Sequence, residues 1–78
     1  MDEFNTARRY YRICLERAYP NGNATQKVKL IFWMVASMRA MGVRNMFDII
    51  GAIDGVGGES VMNAETVRIV ERANEVMP

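Results

Sequence analysis

From Val28 to Met41 fourteen residues pass without a glycine or a proline, and the middle of that run, Leu30 to Ala36, is apolar at every position. Valine, isoleucine and aromatic residues suit a strand, but a stretch this long without a breaker fits a helix better. A helix that is apolar all round belongs at the centre of a fold. The rest of the chain must therefore be arranged around it. Pro20 with Asn21-Gly22 interrupts the chain before this helix. Asn23 then offers an N-cap, with Gln26 three residues on as in a capping box. Gly42 supplies the left-handed residue that closes a helix, and Val43 can pack back on Met38.

The flanking segments read as helices too. Phe4, Ala7, Tyr11, Cys14 and Ala18 recur at spacings of three and four, which predicts a helix over Glu3–Ala18 with those residues on its inner face. A short helix over Asn45–Asp54 carries Met46, Phe47, Ile49, Ile50 and Ile53; Gly51 inside it costs about 1 kcal/mol against alanine, so fraying or close packing is expected there. Gly55-Val56-Gly57-Gly58 reads as a flexible connector, because no Gly-Lys-Ser/Thr follows and no strand precedes it, as a phosphate cradle would need. A last helix starts at an Asn63 cap and runs to Val76. It turns Val67, Ile69, Val70, Ala73, Val76 and Met77 inward and Glu65, Arg68, Glu71, Arg72 and Glu75 outward. The expected fold is all-α: a single compact four-helix domain over residues 1–78, three longer helices and one short one, as a bundle or an orthogonal array.

Composition narrows the function. Histidine is absent and Cys14 is the only cysteine. No internal disulfide can form, and neither a Ser/His/Asp nor a Cys/His catalytic set can be assembled. Cys14 lies on the apolar stripe of the first helix and is expected to be an inert core thiol. No enzyme activity, cofactor, metal or small-molecule substrate is expected. The opening Met1-Asp2-Glu3 is acidic where a secretory signal is basic, and the longest apolar run falls well short of the ~20 residues of a membrane span. The expectation is a cytoplasmic protein with no membrane role. Half of the residues are hydrophobic, yet a domain this small has little interior to hold them. Some of that apolar surface is expected to meet a partner or a second copy, as a homodimer.

Charge is unevenly spread. Residues 1–44 hold eight basic and three acidic residues, a balance of +5, while residues 45–78 hold two basic and six acidic, a balance of −4. The run Arg8-Arg9-Tyr10-Tyr11-Arg12 concentrates arginine and tyrosine, the residues that dominate protein hot spots. The same run suits phosphate contacts and base stacking, and a plain solvated helix face accounts for it equally well. Met34, Met38 and Met41 share one face of the second helix; such a stripe fills cores most often and serves adaptable binding surfaces less often.

The second helix, the Met41-Gly42-Val43 turn and the third helix have the order of a helix-turn-helix. With Gly55 and the segment Asn63-Ala64-Glu65-Thr66, the region Val35 to Met77 loosely resembles the DNA-binding headpiece of lactose-repressor-type regulators. That resemblance implies a recognition helix over Arg44–Asp54. The chain departs from the pattern at Asp48, six positions after the turn glycine, where that family has a hydrophobic residue, and two aspartates on this helix would repel phosphates. The leading expectation is a non-enzymatic protein-binding regulator or inhibitor acting through Arg8, Arg9, Tyr10, Arg12, Met34 and Met38. The alternative is a nucleic-acid-binding regulator of helix-turn-helix type.

Overall fold

The structure, a computed structural model, describes residues 2–56 and 64–78, with the backbone alone at 55–56. Four helices follow one another: α1 (Asp2–Ala18), α2 (Gln26–Ala40), α3 (Met46–Val56) and α4 (Ala64–Val76). The all-α, four-helix expectation holds. Among the described residues α2 packs against each of the other three helices, whereas α1 and α3 do not meet. The Cα trace spans 29 × 28 × 18 Å. Its short dimension is about the depth of two packed helices, so nearly every element has a side facing water.

The ends of α2 show how the local sequence sets the boundaries. The N-cap is Thr25 and not Asn23: its backbone is extended (ψ 166°), its hydroxyl accepts from the Val28 amide at 3.3 Å, and its carbonyl accepts from Lys29 at 2.9 Å. Asn23 is exposed, while Ala24 packs on the core. That anchored alanine holds the chain out of helical geometry until Thr25. The C-terminus closes as the glycine implied. Gly42 sits at φ 87°, its amide donates to Arg39 O at 3.0 Å, and the Val43 amide donates to Met38 O at 3.0 Å. This is the paired bonding of a Schellman ending.

Asn45 caps α3 through its side-chain oxygen, which accepts from the Phe47 amide at 2.9 Å and the Asp48 amide at 3.3 Å. The helix continues through Val56, so Gly55 and Val56, expected in a connector, extend its last turn. Gly51 is exposed and a Cβ there would meet nothing within 4 Å, which rules out close packing as the reason for glycine. The rest of the glycine-rich connector, Gly57 to Ser60, and the Asn63 cap lie outside the described residues.

The core gathers Cys14 from α1, Val28, Ile31, Phe32, Val35 and Ala36 from α2, Ile49 and Ile53 from α3, and Val70, Ala73 and Met77 from α4 and its end. Tyr19 stands edge-on to Phe32 with ring centroids 5.8 Å apart. The last turn of α4 has no basic residue of its own to meet its unpaired carbonyls. Other helices supply them. Arg39 of α2 donates to Asn74 Oδ1 at 2.7 Å and to Pro78 O at 2.8 Å, and Arg17 of α1 reaches Val76 O at 3.5 Å. Cations at a helix C-terminus are favoured by its dipole, so these arginines fasten α4 to the two helices before it. Burial, and then the neighbouring charge of Arg44, lower the pKa of the Arg39 guanidinium.

Candidate functional site

An apolar sequence on every side of α2 implied a helix covered on every side. It is not. Its inner face packs into the core, but Leu30 is 60% exposed and Met41 61%. Leu30, Trp33, Met34, Ser37 and Met41 follow helical spacing along the outer face and form a second apolar stripe.

Two concavities meet on this stripe. One, between α1 and α2, is lined by Phe4, Ala7, Trp33, Ser37 and Met41, with Glu3 at its end. The other, between α2 and α3, is lined by Trp33, Met34, Ser37, Met38, Ala52 and Ile53. They share Trp33 and Ser37, and α1 and α3 do not touch, so together they make one open channel. Its floor is α2, one wall is α1 and the other is α3. The Trp33 ring is fixed from the α1 side by Phe4 and Tyr11, both edge-on, with centroids 5.8 and 5.5 Å away. Edge-to-face pairs of this kind add to plain burial. The one hydroxyl on the floor, Ser37, donates to its own helix at Trp33 O, 2.8 Å. The floor therefore accepts an apolar occupant without leaving that donor unpaired.

Arg8, Arg9 and Arg12 lie on the outward side of α1, all exposed, around a shallow depression completed by Asn5 and Ile13. Among the described residues none of the three has a hydrogen bond or ion pair. Arg17 and Arg39, by contrast, are committed to the end of α4, and Lys27 lies 3.6 Å from Glu65. Tyr10 is half-buried and packs on the core, as Tyr11 does. The aromatic part of the Arg/Tyr run therefore points inward and the arginines point out. Met34 and Met38 are half-buried, packed on the core with one side in the channel.

The outward side of α3 shows Phe47, 85% exposed, with Asp48 and Gly51. Within Met46–Val56 there is no lysine or arginine, so of the recognition helix implied over Arg44–Asp54 only exposed Arg44, before its cap, is a cation, against Asp48 and Asp54. Cys14 is fully buried; its thiol points to Tyr11 O at 3.4 Å, and burial raises its pKa from 9.0 to about 11. Such a thiol is protonated and shielded. Among the described residues no group of three acids or cysteines could hold a metal, and no helix is long and apolar enough to cross a membrane.

No protein-family model, no curated protein and no solved structure matches this chain.

Proposed function

We propose that the chain is a non-enzymatic protein-binding regulator that engages its partner through the outward arginines of α1. The observation that carries this reading is the contrast among the cations. Arg17, Arg39 and Lys27 are used inside the fold, whereas Arg8, Arg9 and Arg12 are grouped, exposed and, among the described residues, without an internal partner. Arginines held on a rigid helix can form forked, charge-assisted bonds to carboxylates. Ile13 adds an apolar contact beside them. The partner surface that fits is an acidic one with an aliphatic or aromatic anchor.

Three adjacent free cations also favour the second reading, a nucleic-acid backbone. The inward packing of Tyr10 and Tyr11 removes the stacking rings that a single strand would use. Tagged protein recovered from its native host, with and without nuclease, separates the two. A captured protein that survives nuclease and is lost on joint Arg9→Glu and Arg12→Glu substitution, with unchanged circular dichroism, supports the first reading. Capture that survives the double reversal overturns it. Capture that needs intact nucleic acid, and falls log-linearly with salt, establishes the second.

A further inference from the structure

We propose that the element docking on the outward arginines of α1 is a helix of the partner protein. It lies across α1 with one carboxylate between Arg9 and the Arg8–Arg12 pair, and with an aliphatic side chain against Ile13. This rests on the partner reading above and adds to it the partner's secondary structure and register. Every residue lining the depression belongs to α1: Asn5, Arg8, Arg9, Arg12 and Ile13. Their spacing makes it a groove between two rows of side chains, Asn5–Arg9–Ile13 on one side and Arg8–Arg12 on the other, each row stepping four residues at a time. Helices pack by laying such a row of one into such a groove of the other, in the commonest class at a crossing angle of about 50°. Here the groove is open, and all four of its polar residues are exposed.

The rim selects both the backbone and the charge of what fills it. Arginine only donates hydrogen bonds, and Asn5 is the one rim residue able to accept. An extended segment would bring amide N–H groups that find almost no acceptor there. A helix satisfies its own backbone and presents side chains alone. Among those a carboxylate matches the guanidinium fork, and half-buried Ile13, one turn on from Arg9, takes an apolar neighbour. The reach of the positive charge limits the occupant further. Exposed Asp2 and Glu16 stand one turn outside the groove at its two ends, about 21 Å apart along the axis. A nucleic-acid duplex carries one negative charge per ~1.7 Å of its length, and laid along α1 it meets both acids. A single carboxylate set among the arginines meets neither.

Titration of the isotope-labelled full chain, followed by NMR, tests this. The probe is a hydrocarbon-stapled, alanine-rich helix carrying one glutamate with a leucine one turn to either side. It should shift the amides of Asn5 to Ile13 saturably, and glutamine in place of its glutamate should weaken it several-fold. Joint Arg9→Glu and Arg12→Glu substitution should abolish that binding and let the chain take the same helix with lysine for glutamate, with circular dichroism unchanged. No saturable shift up to millimolar probe overturns the proposal. Equal binding by an unstapled, proline-interrupted peptide of like composition overturns the helix and leaves the arginine reading standing; equal binding by the glutamine helix overturns the carboxylate. A thymidine oligonucleotide that moves the same amides at lower concentration replaces the partner helix with nucleic acid. The partner reading itself fails separately, when capture from the host survives the Arg9 and Arg12 reversal.

Discussion

Helices α2 and α4 are of similar length, fifteen and thirteen residues, yet they treat their apolar residues in opposite ways. In α4 the division is clean. Thr66, Val70 and Ala73 are buried, as is Met77 just past the helix end, and Glu65, Arg68, Glu71, Arg72 and Glu75 are exposed. Every side chain there has a reason within the fold of a single chain. In α2 the inner half has the same kind of reason, Phe32, Val35 and Ala36 being fully buried. The outer half does not: Leu30, and Met41 at the C-cap, are large, apolar and exposed where this chain alone would be content with polar residues. The difference separates residues that hold the fold from residues that the fold of one chain leaves exposed.

That comparison can be broken at several points. The largest effect belongs to the inner side of α2: Phe32→Ala should cost about 3–5 kcal/mol in urea unfolding, the range for an emptied aromatic core site. A much smaller loss would mean that the inner side is loosely packed and the contrast false. Arg39→Ala should cost about 2 kcal/mol, since a charged donor leaves the carbonyls of Asn74 and Pro78. Its unfolding should also lose cooperativity at α4, read by amide exchange; an unchanged α4 would show that apolar packing alone holds it. Gly51→Ala should stabilise by up to about 1 kcal/mol, because the added methyl meets open space in an exposed helix. A loss there would reveal a contact on α3 that the wall needs. Smallest are Leu30→Ser and Glu71→Ala, each within about 0.5 kcal/mol for the dilute chain. Only Leu30→Ser should alter sedimentation at high concentration. If both or neither do, the outer sides of α2 and α4 are equivalent after all.

The helical plan was legible because glycine and proline punctuate this chain at the right places. The Schellman ending at Gly42-Val43 could be read residue by residue; on α4 Val70, Ala73 and Met77 were legible, while buried Thr66 was not, and Val67, Ile69 and Val76 are only half-buried. The start of α2 could not: Asn21, Asn23 and Thr25 are all chemically able to cap, and the choice fell to the packing of Ala24, which periodicity does not show. The same limit applied to the cations. Arg39 and the carbonyls it serves are 35 and 39 residues apart, and no local pattern separates it from Arg8 or Arg12. A count of charges found the basic half of the chain; only the fold divided it into arginines that are spent and arginines that are free. The apolar run of α2 misled for a related reason. Its composition required cover on every side, and a slab two helices deep supplies cover on one.

The central place of α2 also has a dynamic consequence. Its amides can exchange with solvent only when contacts to three helices are undone together, so their protection should report the opening of the whole domain. Helix α3 is tied to α2 and α4 but not to α1, so it is expected to open at lower cost than the other three, uncovering Ile49 and Ile53. One wall of the channel would then open and close on its own timescale. An occupant that touches both walls would slow exchange in α3 far more than in α2, and the affinity of the channel would be set by how often that wall is in place.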